Sequence, residues 1–235
     1  MKPMNDTQFT QPASHTPQTS LQKIIRRILL GLGIIALALF ALGLYRIPAV
    51  LEQGKTEDAV AEIQATTLRM SDVTGENLPP VPDPGLVDAT VAGVDANTNG
   101  IRDDVELAIF ERYPDNPVVR SAMLQYALGL QLELTQVFNS ETWVAATQQA
   151  NRGSSCLSDT APDVSLENTE EELAAAFAIG DARIQEVEAL VLNNSIRRDT
   201  KEQLTKENIT SLSLGDPTEE DCDIDPETLT FDSDE

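Results

Sequence analysis

Apolar positions along this chain fall first into one unbroken block and then into a series of helical stripes. From Ile28 to Tyr45 the sequence reads ILLGLGIIALALFALGLY, 18 residues without a charge. At 1.5 Å per residue such a helix spans about 27 Å, close to the ~30 Å hydrocarbon core of a bilayer. Residues 49–70 then carry Val60, Ile63 and Thr67 on a thin stripe, a helix leaving the membrane that packs on the domain or on a second copy. Pro79, Pro80, Pro82 and Pro84, followed by Gly85, break all periodicity and read as a semi-rigid linker or a strap across the domain. Helical spacing returns at Asp103–Tyr113. Asp115 or Asn116 caps the next helix, with Pro117 at its first position. Val119, Met123, Tyr126, Leu130, Leu134 and Val137 recur there at intervals of three and four. A third helix opens at Ser140, holds Trp143 and runs to about Gln149. A fourth, Glu170–Leu192, turns Leu173, Phe177, Ile184, Val187 and Leu190 or Val191 inward. A fifth covers Asn194–Lys206. No alternating strand pattern of useful length occurs. The expected fold is all-α, an N-terminal transmembrane helix followed by a small extracytoplasmic helical bundle.

The expected segments are a disordered cytoplasmic tail (1–23), the anchor (24–47), a juxtamembrane helix (48–72) and a Pro-rich linker (73–94). A helical domain (95–210) and an acidic disordered tail (211–235) follow. The long polar stretch before the apolar block, the length of that block and the lack of a convincing small-x-small site favour an uncleaved signal-anchor over a cleaved signal peptide.

Charge sets the orientation. Lys2, Lys23, Arg26 and Arg27 precede the block with one acid, Asp6; 12 basic and 38 acidic residues follow it. The basic flank stays in the cytoplasm. This places a single-pass protein in the inner (cytoplasmic) membrane, held by residues 28–45, with its C-terminal domain in the periplasm or outside. A formal net charge of −23 repels phosphates and argues against a nucleic-acid partner. One histidine, His15, and two cysteines exclude most zinc and haem sites and Ser-His-Asp triads. Both cysteines lie on the outer side, where a Cys156–Cys222 disulfide is the expected state.

One motif carries chemistry. Residues 95–106 read DANTNGIRDDVE, placing Asp95, Asn97, Asn99, Ile101, Asp103 and Glu106 at positions 1, 3, 5, 7, 9 and 12 of a twelve-residue calcium loop, with Gly100 at the turn position 6. Calcium takes six to eight hard oxygens, and alternate positions of a tight loop aim theirs at one centre. Ile101 would give its carbonyl and Glu106 both carboxylate oxygens. Read without a metal, the same residues make a turn followed by an Asp-x-x-Glu helix cap, which does not account for Asp95 and Asn97.

The loop resembles EF-hand-like calcium loops, and more closely the thrombospondin type 3 and dockerin-type repeats. Position 8 departs from the EF-hand pattern: Arg102 stands where a branched apolar residue would pair with a sister loop. The preceding segment is proline-rich rather than helical. The resemblance thus implies a single structural calcium ion, not a paired sensor. The wider stretch, VPDPG and AGVDANTNGIRDDVE with a Tyr-Pro after it, is similar to a group of uncharacterised bacterial exported helical proteins.

The functional expectation is a membrane-anchored cell-envelope protein with a calcium-stabilised outer domain, a structural or interaction module with a protein partner in the envelope. It is not read as an enzyme. The alternatives are a carboxylate-based hydrolase of envelope glycans and a subunit of a membrane complex.

Overall fold

A computed structural model describes residues 20–162, 168–212 and 221–229. The expected cytoplasmic tail, apart from residues 20–23, and most of the expected acidic tail lie outside these. The chain forms two units, Met1–Glu52 and Gln53–Glu235. Helix α1 (Ser20–Ala65) runs from one into the other, beginning four residues before the expected anchor. It is long and apolar enough to cross a membrane: an 18-residue window has a mean hydropathy of 2.5 and none of it is buried by other parts of the protein.

The second unit is helical, without strands among the described residues. After α1 come α2 (Met70–Thr74), α3 (Pro84–Val87), α4 (Asp103–Arg112) and α5 (Pro117–Thr135). They are followed by α6 (Ser140–Ser158), α7 (Glu170–Val191), α8 (Ser195–Asn208) and a 3₁₀ turn, Pro226–Leu229. Each long helix of the bundle starts where a side chain satisfies free amides. Asn116 Oδ1 accepts from Val119 N, Asn139 Oδ1 from Thr142 N, Thr169 Oγ1 from Glu172 N and Asn194 Oδ1 from Arg197 N.

The central helix is α5, buried on every side from Val119 to Leu134. Its stripe is the expected one, with Met123 and Leu130 at most 1% exposed. Helices α6, α7 and α8 pack around it, and α2 and α4 cover it from the N-terminal side. The seam with α6 is a close backbone contact: a Cβ on Gly129 would lie 2.5 Å from Ala150 Cα, and one on Gly153 would lie 2.7 Å from Tyr126 Cα. This seam carries α6 nine residues past its expected end at Gln149, because Asn-Arg-Gly-Ser-Ser, a poor helix sequence in isolation, is what lets the two backbones meet.

Helix α7 corrects a second expectation. Phe177 is 65% exposed, while Ala176 and Gly180 take the inner face of its first half, ahead of Val187 and Val191. Gly180 faces α6, where a Cβ would stand at ordinary contact distance, 3.9 Å, from Ser158 Cα. Thr67 of the thin stripe is also exposed; α1 ends at Ala65, and Leu68 and Val73 enter the core instead.

The proline segment is fastened down as a strap. Buried Arg197 donates to the carbonyls of Val87, Thr90 and Val91 and to the carboxylate of Asp88, and Gln131 Nε2 donates to Ala92 O at 2.9 Å. At the far end Cys156 and Cys222 form a disulfide, S–S 2.01 Å. Residues 221–229, read from the sequence as part of a solvated tail, are packed. Gln125 pairs with their backbone on both sides (Nε2 to Asp221 O, 2.7 Å; Oε1 from Asp223 N, 2.8 Å) and Leu229 is 3% exposed.

Candidate functional site

Loop 95–106 lies across α5 and runs into α4. Gly100 adopts φ +87°, and a Cβ there would meet Leu128 Cδ1 at 2.7 Å, so the turn sits directly on the core. Thr98, at φ +55°, is a non-glycine residue in the left-handed region, held there by the bonds around it. Asp95 accepts from Asn99 N (3.2 Å) and Gly100 N (2.9 Å), which closes the turn. Ile101 is anchored in the core at 1% exposure, and its N–H donates to Asn99 Oδ1 at 2.9 Å.

Asp103 and Glu106, the first and fourth residues of α4, are completely buried. Asp103 Oδ1 accepts from Ala96 N at 2.9 Å. Glu106 Oε2 accepts from both Asn97 Nδ2 (3.0 Å) and Asn99 Nδ2 (3.1 Å). The structure thus draws Asn97, Asn99 and Glu106 into direct contact across the loop.

The other oxygens of this group lack partners. Asn97 Oδ1, Asp103 Oδ2 and Glu106 Oε1 are each buried without a hydrogen bond; Gln131 Oε1 is the one further such side-chain atom among the described residues. A buried acceptor left unmade costs about 1–3 kcal/mol. The Asn97 orientation is fixed by chemistry, because its Nδ2 donates to two oxygens, Asn77 O and Glu106 Oε2. An amide turned the other way would set oxygen against oxygen.

The carboxyls register the same shortage. Burial pushes Asp103 above the usual range, and the charges of Asp95 and Asp104 add to it. Glu106 is pushed up to about 7, by burial first, against the two amide donors that oppose the rise; Asp72 and Asp103 raise it further.

Arg102 accounts for position 8. Its fully buried guanidinium pairs with Asp104 through Nε (2.7 Å) and Nη2 (2.9 Å) and donates to Val191 O and Leu190 O, both at 3.0 Å. Instead of meeting a sister loop, this position ties the loop to the C-terminal end of α7, where carbonyls are left free.

Sequence reasoning missed Asp72 and Asn77, which precede the first proline, Pro79, and belong to no spacing motif. Asn77 O accepts from Asn97 Nδ2 at 2.7 Å, and Asn77 Nδ2 donates to Asp72 Oδ1 at 2.8 Å. The loop borders a cleft of about 580 Å³ whose lining includes Asp95, Asn99, Gly100, Asp72 and Gln131.

Chemically the loop offers carboxylate, amide and main-chain oxygens, hard donors suited to a cation. Among the described residues no group of three or more His, Cys, Asp or Glu side chains is arranged to hold a metal; a cation here would depend on the amides and the main chain as well. Compared with known proteins, the chain matches no family model, no curated protein and no solved structure.

Proposed function

We propose that this is a single-pass envelope protein whose helical domain lies outside the cytoplasm, is stabilised by one calcium ion in loop 95–106, and serves as a structural or interaction module. One observation carries the ion. Among the described residues, three of the four buried side-chain oxygens without partners belong to the six residues picked out by calcium spacing, at positions 3, 9 and 12. A cation would satisfy all three and neutralise Asp103 and Glu106. With three carboxylates and the remaining ligands neutral, the expected affinity is on the order of 10⁻⁵–10⁻³ M, in the range of extracellular modules. The disulfide supports the outer location, since such bonds persist in oxidising compartments.

Trp143, the only tryptophan and 8% exposed, reports on bundle unfolding in the full chain held in detergent. Calcium at a hundred times Kd should add about 2.7 kcal/mol, raising Tm by about 5–10 °C, with magnesium giving little. Glu106→Gln should abolish the shift. In chelator the same variant should be as stable as the parent or more so, because it removes a buried charge that lacks a counter-ion. A variant equally weakened in calcium and in chelator would reduce the loop to a turn and a cap. Orientation is tested separately: a reporter that matures only outside the cytoplasm, fused after Glu235, should be active. Activity of a cytoplasm-only reporter at that point would overturn the topology.

A further inference from the structure

We infer that α2 and the turn after it are the supporting layer of the ion loop, with Asp72 and Asn77 acting as positioning residues that aim the Asn97 amide oxygen at the ion. This rests on the calcium reading of loop 95–106.

In helix–loop–helix calcium sites the helix before the loop braces it. Here the strap takes that place in the chain, and the brace comes from 20 residues away, where Asn77 O accepts from Asn97 Nδ2. Together with Glu106 Oε2 this bond consumes the nitrogen of the Asn97 amide and leaves Oδ1 buried and unpartnered. Asn77 is itself held from two sides. Its N–H donates to Ser71 O at 3.1 Å, and its Nδ2 donates to Asp72 Oδ1. Asp72, 2% exposed, uses its second oxygen to accept from Arg69 N at 3.0 Å. No ion pair to Asp72 is present among the described residues, so its carboxylate is occupied with orientation. Helix α2 is pinned in turn, because buried Arg120 on α5 donates to Val73 O at 3.0 Å. The relay Asp72–Asn77–Asn97 therefore runs from the rigid core to a single ligand atom. Outer partners of this kind set the orientation of metal ligands, and their removal characteristically weakens binding 10- to 100-fold.

The test is calcium titration of the full chain in detergent against a competing chelator, with Tm in excess chelator measured on the same samples. Asn77→Ala removes the link to Asp72. Asp72→Asn keeps the side chain's size but leaves one of its two acceptor positions facing a donor as an amide. Glu76→Gln, at the exposed neighbour of Asn77, is the control. The expected result is a calcium Kd raised about 10-fold or more in the first two variants, an unchanged Kd in the control, and Tm in chelator close to the parent's. Kd values within about twofold of the parent would overturn the proposal while leaving the calcium loop standing. Variants that lose as much Tm in chelator as in calcium, or that fail to fold, would assign the pair a purely structural role and overturn it too. A parent protein that binds no calcium at millimolar concentration would remove the calcium reading itself, a different failure from either.

Discussion

Gly129→Ala should destabilise the helical domain by about 1–3 kcal/mol, and Gly129→Val by more, because the α5–α6 seam has no room for a side chain. In an exposed helix the first change would gain about 1 kcal/mol from helix propensity. Here the sign reverses. The new Cβ would stand 2.5 Å from Ala150 Cα and 2.7 Å from Ala150 N. These are backbone atoms of a helix, so relief requires α6 to move as a body. Moving it disturbs the packing of Ala146 and Leu157, both fully buried on α6. Gly153→Ala should behave alike, with its Cβ 2.7 Å from Tyr126 Cα. The double variant should cost less than the two singles together, since one displacement of α6 relieves both. Urea unfolding followed by Trp143 fluorescence measures this. A Gly129→Ala protein as stable as the parent would show that the seam tolerates separation.

That seam also marks where sequence reading stops. Hydrophobic spacing finds α5 because large apolar residues recur at three and four along it, although the helix is in fact buried on every side. It loses α6 after Gln149 and misplaces Phe177 because the deciding feature there is smallness. Gly153 is inside for the volume it lacks, and hydrophobic periodicity gives it, Ala176 and Gly180 little weight. Capping at the start of α5 is legible for the opposite reason, since Asn116 is one of the two caps read from the sequence. Asn116, Asn139, Thr169 and Asn194 act on amides within three residues, so the information is local.

The candidate site divides the same way. Loop spacing brings out Asp95, Asn97, Asn99, Asp103 and Glu106; the structure bonds Asp95, Asn97, Asn99 and Glu106 to one another, while Asp103 bonds to Ala96 N within the same loop. Arg102 stands out in the sequence only as a departure from a pattern. Besides Asp104 close by, its partners are main-chain carbonyls of α7, 88 and 89 residues away, which no side-chain motif encodes. Asp72 and Asn77 are hidden for a related reason, since Asn77 reaches the loop through its carbonyl, an atom every residue carries.

The largest single loss is expected from the disulfide. Replacing Cys156 and Cys222 together by serine should remove about 4 kcal/mol, the chain-entropy figure for a closure of 66 residues and an upper value. Acidic composition makes this segment hard to hold by other means. Ten acids and no base lie between Asp216 and Glu235, so the free chain gains from staying solvated and extended. Besides the covalent link, residues 221–229 are held by contacts that include the Gln125 pair, buried Leu229, partly buried Ile224 and the Asp223 carboxylate. That carboxylate makes the loss felt elsewhere. Its Oδ2 accepts from Leu68 N and its Oδ1 from Arg152, both at 2.9 Å, so the segment clamps the corner after α1 onto α6. Releasing it should therefore raise hydrogen exchange at two amides far apart in the chain, Asp223 and Leu68, before the bundle unfolds. The reductant-treated parent should match the serine variant in midpoint and in both amides. Protection retained at Leu68 in the variant would mean that the clamp holds without the covalent bond. The loss should then reach the full ~4 kcal/mol, because the missing bond would act on the unfolded chain alone.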